Sequence, residues 1–174
     1  MYRKILIALQ GQETDSTVVS HVKKLALQMR ADVTLLWVIT VANDGAGGLG
    51  IQFQTEIGSS GWRRINQAKQ RLPQLERPLR EVGLSVETAL VIGTRSQADE
   101  IVSFAARNGY DLISMASDAR PWYRRWIGGS PADGVLRKAL VPVLFIGDDT
   151  RATPVERTAP EPNQMMEIFG SASL

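Results

Sequence analysis

The chain is 174 residues long, 44% hydrophobic and 22% charged, which suits one globular domain with a sizeable core and sets it apart from disordered or membrane proteins. The formal net charge is +2, and because residues 148–174 hold five acidic and two basic side chains, residues 1–147 carry +5. That excess is far below the basic stripe of a dedicated nucleic-acid binder, and with no cysteine and one histidine, His21, disulfides, thiolate metal sites and cysteine nucleophiles are excluded.

Ile5 to Leu9 is a continuous apolar run, as expected of a strand buried on both faces of a parallel sheet. It is too short for a signal peptide or a membrane span, so a cytoplasmic location is expected. Gln10 to Ser16 reads as a loop in which Thr14, Asp15 or Ser16 caps a helix. Val18, Val22, Leu25 and Met29 then recur at helical spacing, predicting an amphipathic helix from about Ser16 to Arg30. His21 sits on its flank with no nucleophile or carboxylate at a catalytic spacing. Asp32 to Ile39 is the second strand, β-branched and aromatic in character.

The stretch from Val41 to Gly61 holds six glycines and reads as a long flexible loop, with no Lys-Ser or Lys-Thr to make it a phosphate loop. Trp62 to Val82 is expected to be helical, kinked or broken where Pro73 and Pro78 each remove a backbone donor. Leu84 to Ile92 is the third strand. Ser96 to Arg107 is the third helix, stopped by Asn108-Gly109, with Asp99 and Glu100 read as solvated charge. Asp111 to Ala116 is the fourth strand, Ser130 to Leu140 the last helix, and Pro142 to Ile146 the fifth strand, placed at an edge by its proline. Residues 148–174, rich in Pro, Thr, Glu and Ala, read as a disordered tail in which Met165 to Phe169 is a short docking segment.

Strands alternating with helices imply a single α/β doubly wound domain over residues 1–147, with a five-stranded parallel sheet and helices on both faces. Ligands in such sheets sit beyond the carboxyl ends of the strands where the order reverses. The loops after the first and fourth strands are therefore the candidate site.

The opening Tyr2 to Leu9, the strand Val33 to Val38 and above all the block from Asp111 to Ile146 resemble the universal stress proteins. In the last block, Asp111-Leu112-Ile113-Ser114-Met115 leads through Arg120 and Gly129-Ser130 to Val135-Leu136-Arg137 and Pro142-Val143-Leu144. The resemblance implies strand order 3-2-1-4-5 and a homodimer formed through the Pro142–Ile146 edge. It also implies an adenine nucleotide such as ATP as the ligand, with Gln10, Gly11, Val38, Ala116, Ala119, Arg120, Gly129 and Ser130 at the cofactor-binding positions. Two departures make that site degenerate. Nucleotide-binding members carry Gly-x-x-Gly-x9-Gly followed by Ser or Thr, and its first two glycines fall here on Ala116 and Ala119. Their Asp in the loop after the first strand is Gln10 here, which hydrogen-bonds a ribose or base but supplies no carboxylate.

Arg120, Arg124 and Arg125 add phosphate-binding charge, while Gly129-Ser130-Pro131 also reads as an ordinary helix cap with proline in the first turn. The run Arg120-Pro121-Trp122-Tyr123-Arg124-Arg125-Trp126 mixes base and aromatic in the manner of a protein contact, as an alternative to stacked nucleobases. The expected function is a stress-response or regulatory protein acting by dimerisation and by binding a partner or ligand, with no catalytic residues and no metal assigned. An ATP-binding member with slow hydrolysis, and an accessory subunit held to a larger complex by the aromatic loop or the tail, are the alternatives.

Overall fold

The computed structural model describes residues 1–40, 59–117 and 130–147. Among them, β1 (Lys4–Leu9), α1 (Thr14–Met29), β2 (Asp32–Thr40), α2 (Ser59–Arg80), β3 (Val86–Gly93), α3 (Gln97–Arg107), β4 (Leu112–Ala116), α4 (Pro131–Lys138) and β5 (Val143–Ile146) follow in chain order. The strands form one sheet in the order β3-β2-β1-β4-β5, every pairing parallel. This is the expected α/β doubly wound arrangement.

The apolar runs are continuous because both faces of the sheet are covered. Ile5, Ile7 and Leu9 of β1, with Val33, Leu35 and Trp37 of β2, pack on one side with Val18, Val22 and Ala26 of α1 and Leu72, Leu75 and Leu79 of α2. Leu6 and Ala8, with Leu36 and Val38, pack on the other side with Ile101 and Ala105 of α3 and Val135 of α4. Strand residues alternate faces with period two, so each strand feeds two cores at once. Truncating a fully buried leucine such as Leu6 or Leu35 to alanine costs about 2–5 kcal/mol, since lost transfer energy and a cavity add.

Several local expectations need correction. Ser59 to Gly61, read as the end of the glycine-rich loop, already belong to α2, and that helix is continuous through Pro73 and Pro78. Burial of Ile65, Ala68, Leu72, Leu75 and Leu79 along one face holds the helix together where two missing amide donors would break an isolated one. None of Thr14, Asp15 and Ser16 caps α1: the residue before the helix is Glu13, with no side-chain cap, because the Asp15 carboxylate turns back to the preceding loop and the Ser16 hydroxyl donates to the Glu13 carbonyl. Asp99 and Glu100 are not merely solvated. Asp99 accepts from Lys138 Nζ at 2.6 Å, while Glu100 is buried and takes both Arg95 Nη2 at 2.9 Å and Nε at 3.1 Å. Residues 41–58, the aromatic segment Arg120–Trp126 and the tail 148–174 lie outside the described residues.

Candidate functional site

The strand order reverses between β1 and β4. β1 pairs with β2 only as far as Leu9 with Trp37, whereas β2 pairs with β3 as far as Thr40 with Gly93. Val38 to Thr40 therefore run on past the end of β1. On the other side the β1–β4 pairing stops at Ala8 with Met115, and Ala116 pairs only with Ile146 of β5. Doubly wound topology places the candidate crevice here, beyond the carboxyl end of β1.

Two of the residues expected at the site meet directly there. Gln10 Nε2 donates to the Ala116 carbonyl at 3.3 Å, tying the loop after β1 to the last residue of β4. Gly11 follows with φ at +76°, a left-handed conformation that glycine adopts freely. A Cβ there would lie 2.9 Å from Trp37 Cζ2, so the indole of β2 packs directly under the loop. The Gly11 carbonyl accepts from Gln67 Nε2 at 3.4 Å and the Gln12 carbonyl from Arg71 Nη2 at 3.2 Å, both side chains reaching over from α2.

Beneath this loop lies Asp15, 1% exposed. Its Oδ1 accepts from the Gln10 amide at 3.0 Å, and its Oδ2 from the Gly11 and Gln12 amides at 2.8 and 3.1 Å. Burial pushes the Asp15 carboxyl above the ordinary carboxylate value, while the three amides and the Arg71 charge act against that rise.

The remaining expected residues are more dispersed. Val38 is 1% exposed, with its side chain in the core against α3 and α4, so only its backbone is available to the crevice. Ala116 is buried and has no positive φ, so its methyl costs no backbone strain where the family pattern has glycine. Ser130 caps α4, its Oγ accepting from the Asp133 amide at 3.2 Å with Pro131 in the first turn. The helix thus begins at the carboxyl-end side of the sheet, with its positive dipole end there. Ala119, Arg120 and Gly129 lie outside the described residues.

Trp37, Gln67, Arg71 and Asp15 escaped the sequence reading. Trp37 and Asp15 look there like a core aromatic and a helix-start acid, and nothing in the local pattern of α2 marks Gln67 or Arg71.

The universal stress protein family model matches residues 1–147. The chain belongs to that family. Among the family's characterised members, universal stress protein MJ0577 of Methanocaldococcus jannaschii is 28% identical over 159 residues, covering 84% of this chain and 95% of that one. A universal stress protein of Archaeoglobus fulgidus superposes with a TM-score of 0.63 at 22% identity, over 84% of this chain and 94% of its own. The structure of a universal stress protein from Archaeoglobus fulgidus in complex with dAMP matches with a TM-score of 0.60 at 22% identity, over 83% and 98%. As universal stress proteins are a five-stranded α/β family, the parallel sheet and its order agree with these relatives. Among the described residues no helix is long and apolar enough to cross a membrane.

Proposed function

We propose that this universal stress protein is a dimeric regulatory binding protein whose crevice between the β1 and β4 loops takes an adenine nucleotide with an incomplete phosphate cradle. The observation that carries the reading is the Gln10–Ala116 contact, which brings two of the positions named by the resemblance together at the point where the strand order reverses. Gln10 presents an amide where a carboxylate would fix a ribose, and Ala116, whose methyl is buried in the core, stands where the family pattern has the first glycine of its phosphate cradle. Binding in this reading rests on the nucleoside more than on the phosphates. The dAMP complex of a protein with the same fold supports the ligand class. The reading makes the protein a cytoplasmic one and assigns it no reaction.

Dimerisation through β5 is supported by exposed apolar side chains along that edge of the molecule. Leu136 of α4, Leu140, and Leu144 of β5 are 60%, 89% and 37% exposed, and among the described residues β5 has a sheet neighbour on one side only. An open edge with apolar side chains favours strand addition by a second copy.

Ser130 at the start of α4 favours a second reading, ATP binding with slow hydrolysis, in which Arg120, Gly129 and Ser130 hold the phosphates. Thermal unfolding with AMP and with Mg-ATP, beside a Gly129→Ala variant, separates the two. Under the first reading AMP and Mg-ATP raise the midpoint alike, and the variant retains the shift. A ligand at 100 times its dissociation constant adds about 2.7 kcal/mol. A much larger shift with Mg-ATP that Gly129→Ala loses establishes the second reading. No shift with either nucleotide at millimolar concentration removes the nucleotide from the function and leaves the partner-binding role.

A further inference from the structure

The loop after β1 has the form of an anion receptor. Its successive amides at Gln10, Gly11 and Gln12 converge on one carboxylate, and convergent backbone N–H groups are what proteins use to hold phosphates and other anions. In this chain the anion is internal. It comes from Asp15, in the first turn of α1, and the three loop amides are the hydrogen-bond donors that satisfy it. Arg71 on α2 ties the loop from above through the Gln12 carbonyl.

We propose that Asp15 is a positioning residue for the crevice, an internal anion that fills the receptor formed by the β1 loop and so sets where Gln10 and Gly11 stand. Three consequences follow from the geometry. The amides of residues 10–12 are already engaged, so this loop receives no phosphate or carboxylate from a ligand. What β1 offers to a ligand is the Gln10 side chain, held within reach of Ala116. And the position of that side chain depends on a carboxylate five residues further along the chain, while α2 ties the same loop through the Gly11 and Gln12 carbonyls. An ordinary acid at a helix start would interact with the helix dipole and leave the loop before it alone. Asp15 instead spends both oxygens on that loop. The inference rests on the loop geometry alone and stands whether or not a nucleotide binds in the crevice.

Chemical rescue tests it. Asp15→Ala removes the carboxylate and leaves three amides without their acceptor in a space that a small anion fits. The thermal midpoint of this variant is measured in sodium formate and in sodium chloride at equal ionic strength, beside the unsubstituted protein. Formate at ten times its dissociation constant raises the midpoint of the variant by about 3–6 °C over chloride, and the unsubstituted protein responds to both salts alike. Equal responses of the variant to formate and chloride overturn the proposal. Should Asp15→Ala fail to fold, Asp15→Asn keeps the shape and removes the charge. Amide hydrogen exchange at Gln10, Gly11 and Gln12 then speeds up about tenfold in the variant, the loss of roughly one charge-assisted hydrogen bond. Unchanged exchange at those three amides overturns the proposal as well.

Discussion

At Gly11 two separate requirements fall on one residue. The backbone is left-handed, with φ at +76°, and Trp37 Cζ2 lies 2.9 Å from where a Cβ would stand. A side chain would have to bear the conformational strain and displace an indole that is itself buried between sheet and helices. Gly11→Ala should therefore cost about 1–3 kcal/mol, read as a lower urea midpoint followed by tryptophan fluorescence, with an altered emission of the folded state as Trp37 shifts. A variant as stable as the parent would mean that the loop relaxes away from β2. Gly93 shows the same kind of constraint without a positive φ: a Cβ there would lie 2.5 Å from Glu100 Cδ, so the end of β3 stays bare to make room for a buried carboxylate.

Among the elements, α3 is tied at its N-terminus by charge. Ser96 caps it by accepting from the Asp99 amide at 3.2 Å, Lys138 joins Asp99 to the end of α4, and Arg95 holds Glu100. The Arg95 hydrogen bonds hold the Glu100 carboxyl below its ordinary value, burial acting against them. A carboxyl whose value is lower in the folded chain than in the unfolded one adds stability that is complete above the unfolded value of 4.5 and disappears as pH falls through the folded value. Asp15, raised in the folded chain, has the opposite sign: its contribution diminishes as pH rises through its folded value. Glu100→Gln should lower stability at pH 7 and flatten the acid limb of a urea-midpoint profile, while Asp15→Asn steepens that limb. An unchanged acid limb in Glu100→Gln would show that the pair with Arg95 does not outlast solvent screening.

For the whole molecule, the sheet has two unequal edges. β3 is eight residues long and carries Glu87 and Thr88 exposed toward solvent, polar groups that discourage pairing with another strand, beside Ile92, which is 46% exposed. β5 is four residues long and includes the exposed Leu144, with exposed Leu140 just before it in the chain. In the proposed dimer a second copy would cover these apolar side chains. Leu144→Lys places a charge in that contact, and sedimentation velocity should show a dimer for the parent and a monomer for the variant, with circular dichroism unchanged. A variant that sediments with the parent would move the dimer contact away from β5. The same experiment on a chain ending at Gly147 separates a role of residues 148–174 in assembly from that of the edge.

The fold could be read in the sequence because its signals are local. Five apolar runs of strand length, separated by helical periodicity, leave a parallel sheet with helices on both faces as the arrangement that buries both faces of each strand, and the block from Asp111 to Ile146 carried the family. The position of the crevice followed from topology, and Gln10 and Ala116 from the family's pattern. The sequence by itself left out the clasp around the loop. Gln67 and Arg71 act on Gly11 and Gln12 across 56 and 59 residues, distances over which no periodicity reports and only packing of α2 against β2 and α1 decides. Asp15 read as a helix cap and Glu100 as solvated charge because composition does not show burial. Their roles were settled when tertiary packing removed them from water and left backbone amides in one case, and an arginine in the other, as the groups that satisfy their charge.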